Sequence, residues 1–156
     1  MLHGSINHVS ITVSDLPKAM AFLGPLLAFL GYTVGGIFHD DRSGHDLTVK
    51  INETNGTAVN VWQAEPALAT HGFEVYEPGL HHIAFNVGKH ADVDQACALV
   101  ERLGGRVTDG PGEFPFGVGG YYAVYFRGPD DLKFEIVHMP LAEERVAELD
   151  RLVAKL

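Results

Sequence analysis

Two histidines and one glutamate form the pattern with the most chemistry in it. His8 opens the alternating run His8-Val-Ser-Ile-Thr-Val13, and His82 opens a matching run, His82-Ile-Ala-Phe-Asn-Val87, 74 positions later. Successive side chains of a strand point to opposite faces. Val9, Ile11 and Val13 therefore form an apolar face, and His8, Ser10 and Thr12 a polar one. In the second run Ile83, Phe85 and Val87 are the apolar set, while His82, Ala84 and Asn86 face away. Towards the C-terminus, Phe134 and Ile136 alternate with Lys133, Glu135 and Val137. A helix-covered sheet built this way would bring His8, His82 and Glu135 together on its open face. Two neutral imidazoles and one carboxylate are a divalent-metal set that leaves positions open for water, substrate or oxygen. A lone histidine on a strand is more often a surface or hydrogen-bonded residue. Recurrence in register is what separates this pair from that reading. His39, His45, His71, His81, His90 and His138 have no such counterpart and are expected to be surface or structural residues.

The elements that must position these residues repeat as well. A helix is expected from about Leu16 to Leu30, opening at Asp15 with Pro17 close behind, and another from about Asp92 to Leu103. Gly31-Tyr-Thr-Val34 and Gly105-Arg-Val-Thr108 follow the two helices, again 74 apart, and read as a glycine cap leading into a strand. Further strands are expected at Asp46 to Ile51 and Thr57 to Gln63, with Glu53-Thr-Asn-Gly56 as the turn. Their counterparts run from about Gly120 to Arg127 and Leu132 to His138, joined by Gly128-Pro-Asp-Asp131. Each half is thus βαβββ. The fold class is α+β, two such modules forming cupped mixed sheets with helices outside. The expectation is one domain over 1–156: module 1 at about 6–63, a linker at 64–79, module 2 at about 80–138, and a C-terminal helix at about 141–156. In that tail Leu149, Leu152, Val153 and Leu156 share a face. Halves of ~70 residues are marginal alone, so the modules should pack together.

The chain of 156 residues carries 20 acidic and 11 basic side chains, a formal charge of −9. That balance argues against nucleic acid or an anionic membrane as partner. Met-Leu-His-Gly-Ser lacks the basic-then-apolar start of a signal peptide. No apolar stretch approaches the ~20 residues of a membrane span. Cys97, the one cysteine, suits a reducing compartment, and a cytoplasmic location is expected.

The chain resembles the vicinal oxygen chelate superfamily, which holds glyoxalase I, fosfomycin-resistance proteins, bleomycin-binding proteins and extradiol dioxygenases. The resemblance runs from about Ile6 to His138. It rests on Asn7-His-Val-Ser-Ile-Thr-Val-Ser-Asp-Leu16, on His82-Ile-Ala-Phe-Asn-Val87 and on Tyr125-Phe-Arg-Gly-Pro-Asp-Asp-Leu-Lys-Phe-Glu-Ile-Val137. It implies that His8, His82 and Glu135 hold a divalent metal, with Glu135 also counted among the catalytic groups. The fourth ligand position falls on Asn60, where glyoxalase I has a glutamate. A neutral amide oxygen is the weaker ligand, so the remaining set is similar to that of fosfomycin-resistance transferases and extradiol dioxygenases. The family's usual Asp-Pro-Asp-Gly turn appears as Gly128-Pro-Asp-Asp131, so Asp131 must take the left-handed conformation. Tyr125 stands where the family points a tyrosine at the substrate, and its phenol could bond a metal-bound oxygen; packing as a strand aromatic is the ordinary alternative. Tyr121 shares its face and is a weaker candidate. The Gly-rich stretch from Gly110 to Gly120 lacks the ending of a phosphate cradle and is expected to be a hairpin connection.

The function expected is that of a metal-dependent enzyme of glyoxalase/dioxygenase type, a lyase or isomerase or a dioxygenase, acting on a small oxygen-bearing molecule. The metal could be Fe, Mn, Zn or Ni. The alternative is a metal-free binding protein of the bleomycin-resistance kind, which would have no need of the paired histidines and Glu135. A homodimer is the expected assembly.

Overall fold

A computed structural model of the protein describes residues 5–115, 120–139 and 151. Apart from Arg151, the expected C-terminal helix lies outside the described residues, as does Phe116. The chain divides into two compact units, Met1–Glu74 with Gly128–Leu132, and Val75–Arg127 with Lys133–Leu156.

The first unit runs β1 (His8–Val13), α1 (Leu16–Phe29), β2 (Phe38–Asp40), β3 (His45–Ile51) and β4 (Ala58–Gln63). The sheet order is β1-β4-β3-β2, with β1 parallel to β4 and the other pairs antiparallel. Asp15 caps α1, its carboxylate accepting from the Lys18 amide, and Pro17 occupies the first turn, where a missing N–H costs nothing. Leu16, Ala19, Leu23, Leu26 and Leu27 are buried along this helix, as are Ile11, Val13, Val59 and Val61 on one face of the sheet.

The strand expected at Gly31–Val34 is reduced to a single bridge between Tyr32 and Asn52; β2 starts only at Phe38. The reason lies on β3. Thr48 and Lys50 point to the buried face, where the Thr48 hydroxyl donates to the Gly36 carbonyl and the Lys50 amine to that of Gly35. The two glycines are thereby held as a loop and do not continue a ladder. Burial pushes the Lys50 amine below the usual lysine range.

The second unit runs β5 (Ile83–Asn86), α2 (His90–Arg102), β6 (Arg106–Glu113), β7 (Tyr122–Arg127) and β8 (Lys133–His138). Its order, β5-β8-β7-β6, repeats the first with the same parallel and antiparallel pairs. Val93, Ala96 and Val100 of α2 are buried, with Phe85, Val124, Phe126, Phe134 and Ile136 on the sheet; Phe126 and Phe134 stack 5.6 Å apart. The turn before β8 belongs to the first unit. There Asp130 and Asp131 both adopt positive φ, 53° and 58°, so two residues share the left-handed conformation expected of Asp131 alone. Asp130 gains from its position: both carboxylate oxygens accept from Ser14, one from the amide at 2.7 Å and one from the hydroxyl.

Candidate functional site

In the second unit, β8 pairs with β5 so that Glu135 lies opposite Ala84, and with β7 so that it lies opposite Tyr125. Strand alternation then puts His82, Ala84, Tyr121, Tyr125, Lys133 and Glu135 on the face away from α2. His82, Tyr121, Tyr125, Lys133 and Glu135 line a cavity of about 500 Å³ together with His81, Thr108 and Asp109. Glu135 is 1% exposed, and a carboxylate so removed from water needs partners. Tyr121 donates its phenol proton to Oε1, and Nε2 of His82 stands 3.0 Å from Oε2. Burial first, and then the bond to Glu135, hold the Tyr121 phenol far above its ordinary pKa, so it remains a donor. Burial likewise raises Tyr125, whose hydroxyl is 3.4 Å from that of Tyr121. The Lys133 amine sits 5.1 Å from the centre of the Tyr125 ring, a cation–π distance.

His81 completes the chain of contacts. Its Nδ1 lies 2.6 Å from Nδ1 of His82, so one ring donates and the other accepts. Burial and the positive charges of Lys133 and Arg127 hold the His81 imidazole below its ordinary pKa, which favours the neutral ring. Since a carboxylate accepts only, His82 donates from Nε2 to Glu135. Were a cation bound at Nε2 instead, Nδ1 of His82 would carry the proton and donate to His81. That is the support metal-binding histidines ordinarily have.

An imidazole nitrogen and a carboxylate oxygen side by side, here 3.0 Å apart in His82 and Glu135, are donors of the kind that would suit a divalent ion. Among the described residues, no group of three His, Cys, Asp or Glu side chains is placed to hold a metal ion.

The first unit holds the other expected residues. His8 is exposed on β1, its Nδ1 2.9 Å from Oδ1 of Asn7. Asn60 lies opposite Ser10 on β1, as Glu135 lies opposite Ala84 on β5; the repeat spacing of 74 makes Ser10 and Ala84 counterparts, so Asn60 is the counterpart of Glu135. Its amide donates to the Ser10 hydroxyl at 3.2 Å, while Oδ1 is buried and unpartnered.

Sequence reasoning ranked Tyr121 below Tyr125 and set His81 aside, yet Tyr121 is the phenol on Glu135. Its shared face with Tyr125 was a usable signal. For His81 there was none, because adjacent strand residues ordinarily point apart and this one precedes β5.

The profile of the Glyoxalase/Bleomycin resistance protein/Dioxygenase superfamily matches residues 5–136. An uncharacterized Bacillus subtilis protein, YqjT, is 31% identical over 133 residues, which span 85% of this chain and 97% of that one. A putative glyoxalase from Bacillus halodurans superposes with a TM-score of 0.68 at 27% identity, covering 87% of this chain and 96% of that one. The fosfomycin resistance protein FosX of Listeria monocytogenes, solved with Mn(II) and sulfate, shares the fold at 19% identity and a TM-score of 0.63, over 93% of this chain and 99% of that one.

Proposed function

This chain belongs to the glyoxalase/bleomycin resistance protein/dioxygenase superfamily, and from that premise we propose that it is a metal-dependent enzyme whose small substrate chelates a divalent ion through neighbouring oxygens. The observation that carries the reading is the buried Glu135 carboxylate, set 3.0 Å from His82 and lacking a Lys or Arg ion-pair partner among the described residues. His82 and Glu135 are the proposed core of the ligand set, with His8 as its third member. When bound, the ion supplies Lewis acidity for polarising a carbonyl or stabilising an enolate or catecholate. Mn(II) in the Listeria relative makes manganese the first ion to test, followed by Fe, Zn and Ni.

The remaining roles follow from the contacts. Tyr121 fixes the rotamer of Glu135 by holding Oε1, so that Oε2 stays with His82. Tyr125 presents a phenol that remains protonated and can donate to a substrate oxygen. Lys133, lying against the Tyr125 ring, adds positive charge that favours an enolate or catecholate over its neutral form. Isomerisation and dioxygenation both fit these parts.

We also propose a homodimer in which His8 of one chain completes the site of its partner. The decisive test is metal analysis of protein purified without chelator, on the native chain and on His8→Ala, His82→Ala and Glu135→Ala. The reading expects about one equivalent of divalent metal in the native chain and loss in each variant; equal metal content in all four would sink it. Mixing His8→Ala with Glu135→Ala should restore one site in two if chains share sites. No recovery despite verified subunit exchange would assign each site to a single chain.

A further inference from the structure

A second cavity, of about 480 Å³, belongs wholly to the first unit and shares no residue with the one around Glu135. Its floor is the register pair Thr12 and Trp62, both on the face of the sheet away from α1. Its roof is the segment after β4, which contributes Leu68, Ala69, His71 and Phe73. A side-chain bond ties that segment to β3: Nε2 of His45 bonds Oε1 of Glu65 at 2.8 Å, while Nδ1 of His45 bonds the Ser43 carbonyl at 2.8 Å. Both ring nitrogens thus face acceptors, so His45 is an imidazolium paired with a carboxylate.

The polar groups around the cavity are nearly all engaged with one another. Gln63 accepts from the Leu16 amide and donates to the carbonyls of Ser14 and Ala64. Asp130 has both oxygens occupied by Ser14. The lining otherwise consists of aromatic and aliphatic side chains, the Thr12 hydroxyl, the His71 ring and the Glu65 carboxylate. Trp62 and Phe73 both line this open pocket, whose size and lining are those of a small-molecule site. The chemistry selects the ligand. Rings stack on Trp and Phe, and an anion placed there would meet the carboxylates of Asp130 and Glu65 with no Lys or Arg in the lining.

We propose that this cavity binds a planar, one- or two-ring aromatic molecule that bears no negative charge and carries a hydroxyl or carbonyl that meets Thr12 and His71. The site gives the protein a second small-molecule position, on the unit that lacks Glu135 and its tyrosines.

Trp62 is the only tryptophan in the chain, so 5-fluorotryptophan labelling yields one ¹⁹F resonance that reports on this wall. The full-length protein is titrated with 2-naphthol and, separately, with 2-naphthoate, in the presence of chelator. The proposal expects a saturable shift with 2-naphthol at a Kd of about 1 mM or tighter, within reach of about eleven heavy atoms. For 2-naphthoate it expects binding at least roughly tenfold weaker. Ala69→Phe, which fills the cavity from its roof, should abolish the shift, and Thr12→Val should weaken binding several-fold with the fold intact. No saturable shift up to the solubility of 2-naphthol would overturn the site. An undiminished shift in a folded Ala69→Phe, or in both variants, would overturn its location, and equal or tighter binding of 2-naphthoate would overturn the ligand class.

Discussion

The two units place different residues at one register position, and the consequences spread through each. In the second, the β7–β8 pair is Tyr125 with Glu135; in the first, the corresponding β3–β4 pair is Val49 with Asn60. Glu135 is buried and held by Tyr121 and His82. Asn60 has only the Ser10 hydroxyl, with an acceptor left over. One step along, on the helix side, the second unit stacks Phe126 on Phe134 where the first sets Lys50 beside Val59. The second unit thus spends an apolar core on supporting a buried charge on its open face. The first keeps its buried charge inside, holding a loop, and leaves an aromatic hollow outside. A repeated backbone preserves register, and the side chains at that register divide the work.

Removing the residue that differs most should break the comparison hardest. Glu135→Ala is expected to weaken divalent-metal binding by more than about 100-fold, beyond the 10–100-fold typical of losing a supporting partner. Calorimetric titration with Mn(II) measures it, and a change under tenfold would mean that the carboxylate is no ligand. Tyr121→Phe leaves Glu135 in place but frees Oε1. It should cost about tenfold in metal affinity and alter the visible spectrum of the cobalt-substituted protein, whereas Tyr125→Phe should leave both unchanged and impair turnover alone. If Tyr125→Phe shifted the spectrum and Tyr121→Phe did not, the two tyrosines would have to exchange roles.

Asn60→Glu sharpens the comparison by making the first unit resemble the second. A carboxylate at this position is expected to tighten metal binding by about tenfold, since it replaces a neutral donor by a charged one. Unchanged affinity and an unchanged cobalt spectrum would separate Asn60 from the metal altogether.

The βαβββ repeat was legible because strand alternation recurs at a spacing of 74 and each helix ends at a glycine, although the second left-handed cap is Gly104 and not the expected Gly105; the register pairs make Asn60 and Glu135 counterparts. What escaped was set by contacts across the sheet. No alternation argument points a lysine inward, so the Lys50 and Thr48 bonds that hold Gly35 and Gly36 and delay β2 to Phe38 could not be foreseen. Tyr121 precedes β7, and sequence supplied its face but not its reach to Glu135. His45 and Glu65 are 20 residues apart and meet only because the segment after β4 folds back towards the start of β3.

That last pair yields the smallest effect. The bond to Glu65, and next the Ser43 carbonyl, raise the pKa of His45 above its ordinary 6.5. Being raised in the folded state, it contributes stability that is fully present below pH 6.5 and is lost as pH climbs through the raised value. The exposed His45–Glu65 pair has little beyond charge, and exposed pairs contribute modestly. The consequence should therefore be local. Above that pH the segment after β4 ought to loosen first, and the Leu68 amide, which donates to the Glu65 carbonyl at 2.9 Å, should lose hydrogen-exchange protection after correction for intrinsic rates. In Glu65→Gln the His45 ring should titrate closer to 6.5, and the same amide should be weakly protected at every pH. A His45 resonance that titrates at or below 6.5 in the native protein would show that the pair does not form, and the aromatic hollow would then have a roof without a latch.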